Sequence, residues 1–250
     1  MNRKQYIGVT GFMTRQEVES ALSAMPQDSQ ILLMVGVLAS YKTLNGQEPG
    51  NPKRYPNIHA IKNIFVDHPK ALNLIHYNTR ETDTLLSQLN SLVEEAGPCL
   101  HGFQLNICWP PNWQLARFKE NNPNMRMVLQ ISEKAFSAAE YSAKKLSSRI
   151  NDYKDSITDI LLDGSGGTGK TLRPDFMNYY ISHIRNSCPN IGIGVAGGLS
   201  PNTPHLIEAV ALNHPGVSID AEGKLRNLVS DELELESTKL YIKRSLSILQ

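Results

Sequence analysis

Short apolar runs alternate with amphipathic segments along the whole chain, and this alternation restricts the available folds more than any other feature. The runs lack strict polar–apolar alternation, as expected of parallel strands covered on both faces. They fall at Tyr6–Thr10, Gln30–Leu38, Ala71–Tyr77, Gly102–Ile107, Met125–Ile131, Ile157–Asp163, Ile191–Ala196 and Gly216–Asp220. Parallel strands need long crossovers, and the intervening segments read as the helices that supply them. Eight such units in 250 residues predict a closed (β/α)8 barrel of the TIM type, an α/β fold with one domain spanning residues 1–250.

The intervening segments carry helix signals. Thr14-Arg-Gln-Glu17 reads as a capping box, in which the hydroxyl takes the third amide and the carboxylate reaches back. Leu85, Leu86, Leu89, Leu92 and Val93 fall on one helical face, as do Phe136, Ala139, Ala143, Leu146 and Ile150. Pro201 and Pro204 stand where a helix should begin, and proline is tolerated in a first turn. A last helix is expected from about Asp231 to Leu249. The one long irregular connection, 40–57, holds three prolines and two glycines. It reads as a functional loop without a helix.

Charge and cysteine content narrow the function classes. Twenty-five basic against 24 acidic residues give no basic footprint for nucleic acid and no signal for an acidic membrane. Cys99, Cys108 and Cys188 are an odd set without a close pair, so neither disulfides nor a thiolate zinc site is expected. A reducing cytoplasm fits. No signal-peptide core follows the N-terminal residues. The histidines and carboxylates show no metal-ligand spacing, and no cofactor motif is found. Oligomeric state has no signature.

Barrels of this class place their active sites at the C-terminal ends of the strands. Three successive ends are glycine-rich: Asp163-Gly-Ser-Gly-Gly-Thr-Gly-Lys170, Ala196-Gly-Gly-Leu-Ser200 and Asp220-Ala-Glu-Gly-Lys224. Glycine lets backbone amides approach a ligand closely, and converging amides near a helix start hold an anion. The expected partner is therefore a phosphorylated small molecule, on Gly167, Gly169, Gly197, Gly198, Ala221 and Gly223. The stretch from Gly164 to Thr171 also fits a nucleotide P-loop. A P-loop, however, runs directly into its helix, whereas Pro174 here forces Arg173 out of helical geometry.

Polar residues expected at other strand ends are Thr10, His76, Asn78, Asn106, Cys108, Gln130, Ser132 and Asp163. Asp163 is the first acid/base candidate, with capping of loop amides as its structural alternative. His76 is an acid, a base or a packed polar group. Cys108 has no cationic neighbour in sequence and reads as inert. Trp109 and Trp113 flank two prolines and either wall the pocket or simply pack.

Residues 160–171 and Val195-Ala-Gly-Gly-Leu-Ser-Pro-Asn202 resemble phosphoribosylanthranilate isomerase, with weaker echoes at Val9-Thr-Gly-Phe12, Pro52-Lys-Arg-Tyr55 and Phe103-Gln-Leu-Asn106. That family is a (β/α)8 barrel of tryptophan biosynthesis that opens a phosphoribosyl ring and moves a proton from C2 to C1. The resemblance implies that Asp163 is the general acid, that Arg54 holds a substrate carboxylate, and that Gly197 and Gly198 hold phosphate. The family's general-base cysteine aligns with Thr10, and an unactivated hydroxyl is a poor base. The family's strand-four histidine aligns with Asn106. Its strand-eight serine–glycine pattern is here Ser218-Ile-Asp-Ala-Glu222, which brings Asp220 and Glu222 near the phosphate, with Lys224 as a counter-charge. The resemblance implies an isomerase or lyase working by proton transfer on a phosphorylated sugar derivative, with Asp163 as acid and His76, or a water near Thr10, as base. A barrel that binds a phosphorylated metabolite without converting it, as a sensor or partner subunit, is the alternative.

Overall fold

The computed structural model describes residues 4–164 and 171–250. Eight parallel strands close into a barrel in sequence order. They are β1 (Tyr6–Thr10), β2 (Leu32–Ser40), β3 (Ala71–Asn78), β4 (Gly102–Leu105), β5 (Arg126–Ser132), β6 (Asp159–Asp163), β7 (Gly192–Ala196) and β8 (Ser218–Ala221). Around them lie α1 (Arg15–Leu22), α2 (Tyr41–Leu44), α3 (Ile61–Ile64), α4 (Leu85–Ala96), α5 (Asn112–Asn121), α6 (Glu133–Ala138), α7 (Ala143–Asn151), α8 (Pro174–Ser187), α9 (Pro204–Asn213) and α10 (Leu235–Leu249). None of the described helices is long and apolar enough to cross a membrane.

Side chains alternate between the two faces of each strand, and this builds two cores. Outward residues such as Ile7, Val9, Phe103 and Leu105 join the helices in the larger one. Tyr6, Met34, Leu72, Leu74, Val128 and Leu161 form a separate cluster inside the barrel. Below that cluster, at the N-terminal end, Arg126 and Asp159 form a buried bidentate pair at 2.8 Å. Above it, at the C-terminal end, Thr10, His76, Gln104, Gln130, Asp163 and Asp220 are all buried. Burying polar groups costs free energy unless they are bonded, so this upper layer is where the interior departs from simple packing.

Local sequence explains most boundaries. The capping box of α1 is formed: Thr14 Oγ1 accepts from the Glu17 amide at 3.2 Å, and Glu17 Oε2 accepts from the Thr14 amide at 2.9 Å. Helix α8 begins with Pro174 at its first turn and 171–173 are not helical, as the proline argument against a P-loop requires. Four expectations need correction. The fifth helix is two, α6 and α7, because Glu140 and Tyr141 take positive φ values of 54° and 52° between them. Helix α10 starts at Leu235, not Asp231, whose φ of 58° is incompatible with a right-handed helix. The long loop does hold one helical turn, α2, capped by Ser40 Oγ on the Thr43 amide. Strand β4 ends at Leu105, which leaves Asn106 and Ile107 beyond it.

Candidate functional site

Six side chains from six strands meet at the C-terminal end of the barrel. Asp220 of β8 is their hub. Thr10 Oγ1 donates to its two carboxylate oxygens at 3.1 and 3.2 Å. Gln104 Nε2 donates to Asp220 Oδ2 at 3.0 Å and lies 3.0 Å from His76 Nδ1. Gln130 Nε2 donates to Asp163 Oδ2 at 2.9 Å. Glycines make the crowding possible. A Cβ on Gly8 would stand 2.7 Å from Asp220 Oδ1, and one on Gly36 would stand 2.5 Å from Thr10 Oγ1.

Burial and charge set the ionisation of the cluster. Asp220 is pushed up to about 7, chiefly by burial and further by Glu222 and Asp163, while the Gln104 and Thr10 bonds pull it down. His76 is pushed below the usual histidine range by burial, against the pull of Glu222 and Asp163. An amide nitrogen only donates, so His76 Nδ1 accepts and the ring proton sits on Nε2. His76 is then a neutral hydrogen-bond donor rather than a base. Gln104 Oε1 and Gln130 Oε1 are buried without a partner. Each such acceptor costs about 1–3 kcal/mol until something donates to it.

Two of the glycine-rich segments, those after β7 and β8, lie at this end of the barrel. Gly197 and Gly198 follow β7 with φ values of 134° and 59°, a conformation that favours glycine. The Gly197 carbonyl accepts from the Leu172 amide at 3.0 Å. Ala221 ends β8, and Gly223 opens a short 3-10 turn to Leu225. Gly167 and Gly169 lie outside the described residues. Asn78, Asn106, Ser132 and Ala196 are at least partly exposed at the ends of β3, β4, β5 and β7 and ring the opening.

Arg54 is engaged by its own chain. It donates to Asp231 through Nε at 2.8 Å and Nη2 at 2.7 Å, and to Glu222 through Nη1 at 2.9 Å. Asn51 adds a bond to Asp231 at 2.7 Å, and Lys53 reaches the Ser230 carbonyl at 2.8 Å. Arg226 ties the same loop to the Gly11 carbonyl at 2.6 Å. The connection after β2 is thereby clamped to the segment after β8. It is Arg54 that offsets the Glu222 charge; Lys224 is exposed. The Arg54 bonds hold Asp231 down at about 2. A lowered carboxyl adds stability that is present above its ordinary value near 4 and is lost as pH falls through its folded value. Urea midpoints of the wild type should therefore fall between pH 4 and pH 2 more steeply than those of Asp231→Asn. Parallel curves would show that the clamp adds nothing.

The aromatic residues after β4 do not line the opening as a pair. Trp109 packs at 5.9 Å from Tyr153 under the Arg149 guanidinium, and Trp113 is 66% exposed on α5. Cys108 does have cations near it, Arg149 and Lys134, which sequence spacing had not revealed. Burial outweighs them and pushes the thiol up. A cleft of about 1010 Å³ lies at the opposite, N-terminal end beside Lys4, His101, Lys119 and Arg126. Arg126 there is committed to Asp159, and Lys119 to the carbonyls of Pro123 and Met125. The ionisable groups that line the cleft are all basic, without the carboxylates of the upper end. No group of His, Cys, Asp and Glu suited to a metal ion occurs among the described residues.

No protein-family model and no curated protein sequence matches the chain. Solved structures do. Phosphoribosyl anthranilate isomerase from Thermus thermophilus superposes with a TM-score of 0.64 at 15% identity, over 97% of this chain and 98% of that one. A protein of Aquifex aeolicus VF5 gives 0.63 at 10% identity, over 99% and 94%. A monomeric dihydrodipicolinate synthase variant gives 0.53 at 10% identity, over 98% and 78%. At these identities the likeness shows the fold alone.

Proposed function

We propose that this chain is a barrel enzyme, an isomerase or lyase, that moves a proton within a phosphorylated sugar derivative. The observation that carries this reading is the upper layer of the barrel, where two buried carboxylates, a neutral histidine and two partnerless amide oxygens replace apolar packing. Asp163 is the general acid, delivering its proton to the ring or leaving oxygen. His76 donates from Nε2 to a ligand oxygen. Gln104 Oε1 and Gln130 Oε1 accept from ligand hydroxyls. The phosphate rests on the amides of Gly197 and Gly198 and of the turn after β8, including Ala221 and Gly223. Asn106 stands at the opening. Arg54 serves a substrate carboxylate only by exchanging Asp231 for it. The resemblance to phosphoribosylanthranilate isomerase supports the substrate class.

Two measurements test the reading together. Turnover is assayed with phosphoribosylanthranilate and a panel of sugar phosphates, and binding of ribose 5-phosphate is followed by calorimetry. Gly198→Asp should weaken binding at least tenfold, which corresponds to about 1.4 kcal/mol, because it sets a like charge beside the phosphate. Gly198→Asn, which tolerates the same left-handed backbone, should retain most affinity. Equal affinity in the wild type and Gly198→Asp would move the phosphate elsewhere. Tight binding without turnover of any panel member would favour a sensor or partner subunit.

A further inference from the structure

Resting on the proton-transfer reading above, we propose that Asp220 is the base of this site, with Thr10 and Gln104 as the residues that position its carboxylate. The proposal answers a specific gap. A proton-transfer enzyme needs a group that takes a proton from carbon, and Thr10, which stands where the resemblance places a base, is a poor one. The structure turns Thr10 into a donor: its hydroxyl points at Asp220. Asp220 is 6% exposed. It sits in register with Gly8 of β1 on one side, where its own carboxylate and Met34 fill the space a Cβ would take, and with Ala196 of β7 on the other, the partly exposed side from which a ligand would approach.

The groups that act on Asp220 are these. Thr10 and the Tyr6 ring face it from β1, Gln104 from β4 with His76 of β3 behind it, and Asp163 from β6. Glu222 follows on its own chain, and Tyr241 approaches from α10. Burial, and then the charge of Glu222, push its titration up to about 7, where a general base is most effective near neutral pH. The two acids thus divide the work. Asp163 gives a proton to oxygen. Asp220 takes a proton from the hydroxyl-bearing carbon next to a carbonyl or iminium carbon; the C–H electron pair becomes the C=C bond of an enediol or enaminol, and the C=O or C=N π pair moves to its oxygen, which takes a proton, or to its nitrogen. Return of a proton to the former carbonyl or iminium carbon, with loss of the proton from the adjacent hydroxyl as it becomes the new carbonyl, completes an isomerisation with no external oxidant or reductant.

The test follows C–H exchange in D2O by NMR with ribulose 5-phosphate. This ketose phosphate is open-chain, so exchange reports the base without ring opening by Asp163. The wild type should exchange, with a rate that rises as pH passes through about 7. Asp220→Asn should slow exchange by about 100- to 10,000-fold, with phosphate affinity unchanged. Exchange at the wild-type rate in Asp220→Asn would overturn the role of Asp220 and leave the proton-transfer reading standing. Absence of exchange in the wild type would overturn both. Should Asp220→Asn fail to fold, Thr10→Val poses the same question. Losing a bond that favours the ionised form moves the pH midpoint of exchange upward, and an unmoved midpoint would overturn the proposal.

Discussion

Asp163→Asn should lower turnover by about 100- to 10,000-fold, the usual contribution of a general acid, while ligand affinity and melting temperature change little. Asparagine keeps the size of the side chain, and its Oδ1 can still accept the Gln130 Nε2 bond now made at 2.9 Å. What it cannot do is deliver a carboxylic acid proton to a departing oxygen. The alternative, that Asp163 only holds backbone amides at the end of β6, makes the opposite forecast. Loss of such a cap costs on the order of 1 kcal/mol, which is about 2–4 °C in a chain of this size, and turnover survives. Kinetics and a melting curve on one variant separate the two. Asp163→Glu is a useful companion, because it keeps the proton but moves it by a methylene, and misplacement alone should cost rate.

The largest stability effect should come from the other end of the barrel. Arg126 donates twice to Asp159 at 2.8 Å, bonds the Lys4 carbonyl at 2.9 Å, and lies 4.9 Å from the Tyr6 ring centroid. Its side chain is 10% exposed and that of Asp159 is 3% exposed. Arg126→Ala should cost about 3–5 kcal/mol, because a buried carboxylate loses its counter-charge, and the melting temperature should fall by roughly 6–20 °C. The bond from Thr158 Oγ1 to Asp159 at 2.7 Å remains, but a hydroxyl carries no compensating charge. The double variant Arg126→Met with Asp159→Leu should recover most of the loss, since apolar side chains of similar size often replace a buried pair without penalty. A melting temperature for Arg126→Ala within a degree or two of the wild type would show that the pair is a packing feature without energetic weight. Neither variant should alter the pH dependence of catalysis at the upper end.

How much of this was legible beforehand depends on the range of the interaction involved. Apolar runs and helical stripes are local signals, and all eight strands and their closure followed from them. Strand ends moved by one or two residues, because the ladder with a neighbouring strand decides where pairing stops. The break between α6 and α7 was marked only by Ser142, whose hydroxyl caps α7 on the Lys145 amide; Glu140 and Tyr141, which take the positive φ values, are neither glycine nor asparagine. Helix α10 begins late because Asp231 is drawn off by Arg54, 177 residues away. The same distance hid the state of Arg54, which spacing alone presents as a free cation. Asp220 read only as an unwelcome charge beside a phosphate. Its partners, Thr10 and Gln104, are 210 and 116 residues away, and only closure of β8 onto β1 brings them together. Gln104 likewise looked like one more strand residue, and nothing in its neighbourhood shows that its amide joins His76 to Asp220.

A crystal structure of the protein soaked with ribose 5-phosphate tests the central claim most directly. The phosphate should lie within hydrogen-bonding distance, about 3 Å, of the Gly197 and Gly198 amides, with the sugar carbons directed toward Asp163 and Asp220. An upper end left empty while the ligand occupies the N-terminal cleft beside Lys4 and Arg126 would contradict the account.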